Sequence, residues 1–97
     1  MIRSFRDAGT EDIFNGRSTR AARNLLPQDL WRSARRKLDQ LDSAQELSDL
    51  RVPPGNRLEA LSGDRAGQHS IRINDQYRIC FTWADDGPER VVIVDYH

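Results

Sequence analysis

The 97-residue sequence predicts an α+β fold, with N-terminal helices packed on one face of a small antiparallel β-sheet. Three observations carry this. Leu30, Ala34, Leu38 and Leu41 recur at helical spacing and make one apolar stripe. Tyr77 to Trp83 alternates as a strand does, with Tyr77, Ile79, Phe81 and Trp83 on one face and Arg78, Cys80 and Thr82 on the other. After Val52-Pro53-Pro54-Gly55, short apolar runs are separated only by turn residues, which is the pattern of a meander.

The elements follow in order. Ile2-Arg3-Ser4-Phe5 alternates like a short half-buried strand. Asp7 and Thr10 are expected helix caps. A short helix from Thr10 to Asn15 would bury Ile13 and Phe14, and Gly16 would stop it. The main helix is expected over Pro27–Ser43, with Pro27 at its first position and Trp31 widening the stripe. A further turn covers Ala44 to Leu50. Arg57 to Leu61 reads as a strand with Leu58 and Ala60 inward, and Ser62 to Gly67 as a turn. His69 to Ile73 is a strand, Asn74-Asp75 a turn, and Asp85-Asp86-Gly87-Pro88 another turn. Val91 to Tyr96 is almost entirely β-branched, so it is expected to be central and buried on both faces. Residues 1–97 form a single domain.

Composition narrows the function classes. Fifteen basic residues balance fifteen acidic ones, so net charge alone argues neither for nor against a nucleic-acid partner. No apolar run approaches the ~20 residues of a membrane span, and no apolar stretch after Met1 suggests a signal peptide. A cytoplasmic domain without a membrane partner is expected. One cysteine, Cys80, cannot form an internal disulfide, and two histidines with one cysteine exclude a structural zinc site. Within the balance, charge is sorted. Arg17 to Lys37 carries seven bases against Asp29, whereas Leu38 to Leu50 carries Asp39, Asp42, Glu46, Asp49 and no base. The basic run is expected to be a solvated helix face with pairs such as Arg35–Asp39, or a local surface for an anionic partner.

The residues able to do chemistry are Arg57, Glu59, Arg65, Arg72, Arg78, Asp95, Tyr96 and His97. Cleaving RNA without a metal needs a base for the 2′-hydroxyl, a cation for the phosphorane and an acid for the departing 5′-oxygen. Asp, Glu, His and Tyr can exchange protons, and Arg can hold charge. Asp95-Tyr96-His97 places three such groups at the end of one strand. In a regular strand Tyr96 faces away from its two neighbours. The bland alternative is a strand end with satisfied polar groups. Tyr77 and Trp83 read first as core, and His69 as structural.

Leu50 to Leu61, Gly63-Asp64-Arg65, Gln68 to Phe81 and Val94-Asp95-Tyr96-His97 resemble HigB-type toxins, the plasmid-maintenance killer-protein branch of the RelE/ParE superfamily. Met1-Ile2-Arg3-Ser4-Phe5 shares the likeness, which spans essentially the whole chain. The resemblance implies a RelE-like fold and a metal-free endoribonuclease, without cofactor, that cuts mRNA in the ribosomal A site. It also implies a HigA-type helix-turn-helix antitoxin as partner. It places catalytic positions at Glu59, Arg78, Asp95, Tyr96 and His97, with Arg78 holding the scissile phosphate. Ser62 and Gln76 also fall at family active-site positions, and some members carry His and Lys where this chain has Glu59 and Ser62. Arg57, Arg65, Arg72 and Gln76 are expected RNA contacts, and Arg57 or Arg65 could replace the missing lysine. Two alternatives remain: a non-nuclease toxin on the same scaffold, as in ParE-like gyrase inhibitors, and an inactive antitoxin-binding module.

Overall fold

The computed structural model describes residues 1–96. Helix α1 (Ala8–Phe14) starts two residues before the expected Thr10. Asp7 is its cap, and its Oδ1 accepts from the Thr10 amide at 2.8 Å. Thr10 is no cap. It lies buried within α1, and its Oγ1 accepts the Ile93 amide at 3.0 Å. Gly16 ends the region in a left-handed conformation at φ +74°. The Gly16 amide donates to Ile13 O at 3.1 Å and that of Arg17 to Asp12 O at 2.8 Å, satisfying carbonyls that the helix leaves open.

A second helix, α2 (Arg20–Leu25), was not anticipated. Six residues are too few to show a period. Its cap, Thr19, accepts from the Ala22 amide at 3.1 Å and donates to Asp12 Oδ2 at 2.6 Å. Contact with α1 holds so short a helix. A Cβ on Gly9 would sit 2.8 Å from the Ala21 carbonyl oxygen, so only glycine permits this approach. The main helix, α3, spans Trp31–Ser43 and follows a 3₁₀ turn over Gln28–Leu30. Pro27 is therefore not its first residue. At ψ 139° it is extended, and its carbonyl accepts the Leu30 amide in the tighter turn. Ala34, Leu38 and Leu41 are fully buried as the stripe required, and Leu30 and Trp31 pack beside them. No helix among the described residues is long and apolar enough to cross a membrane.

The four strands β1 (Glu59–Ala60), β2 (Gln68–Arg72), β3 (Tyr77–Ala84) and β4 (Gly87–Asp95) form one antiparallel sheet in the order β1-β2-β3-β4. Ile71, Ile79, Phe81, Val91 and Ile93 join α1 and α3 in one core, with Tyr77 and Trp83 at its margin. Each such side chain contributes about 1.5–3 kcal/mol by leaving water. Three sequence expectations change. β1 has only two residues and follows Arg57 in a left-handed φ of 46°, and Ala60, although its register partner His69 is on the helical face, is exposed on this edge strand. Leu58 does pack on the core. β4 is the last strand in the order, not a central one. Its outer edge is covered by Ile2 to Phe5, which form only a single parallel bridge, Phe5 to Val91, and not a ladder strand. Ser4 O accepts the Val91 amide at 3.0 Å, and Thr10 accepts that of Ile93, so β4 is buried without a fifth strand. Finally, Gly87 and Pro88 belong to β4, so the hairpin loop is Asp85-Asp86 alone.

Asn56 ties the segment before β1 to α3. It is fully buried, and its Nδ2 donates to Leu50 O at 3.2 Å and Gln40 Oε1 at 3.3 Å, while Lys37 Nζ donates to its Oδ1. Burial, and then the charge of Arg36, lower the Lys37 pKa from its ordinary value. Asn56→Ala leaves these groups without partners and is expected to cost about 1–3 kcal/mol in a urea melt. An unchanged midpoint would mean that water replaces the amide.

Candidate active site on the outer sheet face

Strand alternation sends Ser70, Arg78, Cys80 and Val92 to the sheet face away from the helices. Arg78 is the centre of this face. Its Nη1 donates to Ser70 Oγ at 2.7 Å and to Arg57 O at 3.4 Å, and its Nη2 lies 3.2 Å from Glu59 Oε1. The Tyr96 ring stands 5.1 Å from the Arg78 guanidinium carbon, in a cation–π contact. The Arg78 side chain is 11% exposed and that of Glu59 49%, so the cation is recessed and its carboxylate partner is wet.

The other expected site residues distribute as follows. Arg57 supplies its carbonyl, not its side chain, to Arg78. Arg72 faces Arg78 in register but pairs with Asp75 in the turn. Gln76 donates through Nε2 to Asp95 Oδ2 at 3.1 Å, and its carbonyl accepts the Tyr96 amide at 2.6 Å. Asp95 pairs with Tyr77 in register, on the face opposite Tyr96, as regular alternation requires. Ser62 is exposed at the entry to a 3₁₀ turn, apart from the Arg78 cluster. His97 lies outside the described residues. His69 is on the helical face, its ring stacked on Phe81 at 6.2 Å.

Two groups were not foreseen. Ser70 is buried and orients Arg78, and only the β2–β3 register reveals it. Arg6, from the N-terminal segment, is near enough for its charge to act on Cys80 of that face. Burial pushes the Cys80 thiol pKa up, while the charges of Arg65, Arg78 and Arg6 and a hydrogen bond from Arg65 oppose the rise. Arg65 thus carries its charge close to Cys80. The fully buried, protonated thiol is expected to resist iodoacetamide at pH 8 and to react readily in guanidinium chloride. Equal rates in the two would place Cys80 at the surface.

The arrangement is a recessed arginine with its donors fixed, a carboxylate at its mouth and an aromatic ring against it, while Asp95 lies on the other face of the strand end. It can hold an oxyanion and move protons beside it.

Comparison with known proteins agrees with the fold. Residues 3–97 match the family model described as RelE-like toxin of type II toxin-antitoxin system HigB. Toxin HigB-1 of Vibrio cholerae serotype O1 is 42% identical over 85 residues, 88% of this chain and 86% of that protein. An uncharacterized protein of Haemophilus influenzae is 36% identical over 61 residues, 63% of this chain and 60% of that protein. The solved YoeB-YefM complex from Staphylococcus aureus has a chain that superposes with a TM-score of 0.61 at 14% identity, covering 100% of this chain and 98% of that one. With the amphipathic α3, the four-stranded meander and the family match over nearly its full length, the chain belongs to the HigB-like family of RelE-like toxins of type II toxin–antitoxin systems.

Proposed function

We infer that this toxin is a ribosome-dependent endoribonuclease that cuts messenger RNA by metal-free acid/base catalysis. The observation that carries it is Arg78, recessed on the outer face and held by Ser70, Glu59 and the Arg57 carbonyl. In the reaction, a base removes the 2′-hydroxyl proton and the 2′-oxygen attacks the neighbouring phosphorus. The P–O5′ bond breaks, an acid gives its proton to the departing 5′-oxygen, and a 2′,3′-cyclic phosphate remains. Arg78 holds the charge that builds on the phosphorane. Glu59, Asp95 and His97 are the proton carriers, and Tyr96 packs on the cation. The incoming phosphate competes with Glu59 for Arg78. In this reading Arg57, Arg65, Arg72 and Gln76 contact the RNA backbone, and for Arg72 that contact replaces its pair with Asp75.

Zero net charge supports dependence on the ribosome, since a chain without net positive charge gains little from free RNA at physiological salt. The ribosome supplies the message already oriented. Its place is the cytoplasm. The partner that silences it is a HigA-type antitoxin, consistent with the family and with the solved complex that shares the fold.

The test is primer extension on a reporter message in a reconstituted translation system, with and without ribosomes. New 5′ ends that need ribosomes are expected. Intact messages with normal translation would overturn the nuclease reading, and inhibition of gyrase supercoiling would then identify a ParE-like toxin.

A further inference from the structure

Across the sheet from Arg78, the helical layer carries a groove of about 480 Å³ between the end of α1 and α3. Its floor is apolar, made by Ile13 and Trp31. Arginines 17, 32, 35 and 36 surround it, and Asp39 closes one end. The groove is preformed. The Trp31 indole N–H donates to Leu26 O at 2.8 Å, which fixes the ring. A Cβ on Gly16 would lie 3.1 Å from Arg35 Nη1, so the missing side chain leaves room for that guanidinium.

The expected Arg35–Asp39 pair is not formed. Among the described residues no carboxylate lies within 4.0 Å of Arg32, Arg35 or Arg36, and Arg17 reaches Asp12 only at 4.0 Å. Arg32 also repels Arg35 and Arg36 at helical spacings of three and four. A fold gains nothing from such a cluster alone. A partner with carboxylates would relieve it, because each guanidinium fork matches one carboxylate.

The floor and the ends decide between anionic partners. A nucleic-acid backbone has no group for an apolar floor, and a continuous strand would run from the groove over Asp39 and past Asp12. A short peptide with one large apolar side chain between acidic residues uses both floor and rim. We propose that this groove docks an acidic segment of the antitoxin, with an apolar anchor residue between Ile13 and Trp31 and carboxylates on Arg32, Arg35 and Arg36. The proposal rests on the antitoxin partnership and not on RNA cleavage.

The probe is a fluorescein-labelled twelve-residue peptide of Asp and Glu with one central Phe, titrated by anisotropy against the full chain. Its Phe→Ser version and a single-stranded twelve-nucleotide oligouridylate are run beside it. The Arg32→Glu/Arg35→Glu variant, checked by thermal melt, should bind the peptide at least about tenfold more weakly, and so should the Ser peptide against wild type. The oligouridylate should bind more weakly than the Phe peptide. Equal peptide affinity for wild type and variant, no peptide binding, or tighter oligouridylate binding would each overturn the proposal. In cells, the variant should stay toxic yet escape rescue by the co-expressed antitoxin, and full rescue would also overturn it. A wild type without toxicity would count against the nuclease reading, and the peptide titration would still decide the groove.

Discussion

Arg78→Ala is expected to lower the rate of ribosome-dependent cleavage by about 10²–10³, the cost of removing one preorganised charge donor from a developing oxyanion. The guanidinium is held by Ser70 at 2.7 Å and by Glu59 at 3.2 Å, so it is in position before the phosphate arrives. Alanine removes it and leaves Glu59 to repel the incoming polyanion. Lysine is not expected to restore the rate, because an ammonium lacks the fork that meets both Ser70 and a phosphate. The fold should survive, since Glu59 is already half exposed and can be hydrated when its partner goes. The measurement is a single-turnover time course of primer-extension products, paired with a thermal melt of each variant. Cleavage within about threefold of wild type, from a variant that melts normally, would remove Arg78 from the phosphate site.

Phe81→Ala is expected to cost about 3–5 kcal/mol of stability. Phe81 is 1% exposed and is the largest of the fully buried side chains. It stacks on His69 at 6.2 Å and meets the edge of Trp83 at 6.4 Å, so it joins β2 to β3 on the helical face. The β-sheet backbone around it is tied to the β3–β4 register shift next to Cys80, and cannot readily close on the void. Domains of this size have about 5–15 kcal/mol in all, so the variant should lose a large share of its stability and unfold at a clearly lower urea concentration. Urea denaturation with near-UV circular dichroism reads this directly. Phe81→Leu keeps most of the volume and should lose less than half as much. A melt of Phe81→Ala close to wild type would mean that the helices collapse into the space.

Patterns within a short stretch were legible. The stripe from Leu30 to Leu41 specified α3 because helical neighbours three and four apart share a face whatever lies beyond. The alternation of Tyr77 to Trp83 specified β3, and with it the outward side of Arg78, because strand faces follow parity. The opposite orientations of Asp95 and Tyr96 follow from the same parity. The chemistry of the candidate site was readable as residue types for that reason.

Features that depend on residues far apart in the chain were not legible. Helix α2 is held by Asp12 and by the close approach at Gly9, neither of which lies within its own six residues. The burial of β4 comes from Ser4 and Thr10, more than eighty positions away, and β-branching alone suggested a central strand. The local pattern pointed Ala60 to the helical face, where its register with His69 does put it, but β1 lies at the edge of the sheet and leaves it exposed. Ser70, Arg6 and the arginines around Trp31 acquire meaning only through what folding brings beside them. Periodicity records the face of a local segment, so sequence alone determined the fold class and the residue types of the outer face. Hydrogen-bond partners and ion pairs are set in three dimensions, so tertiary packing alone chose which arginine is held in place and which are left for a partner.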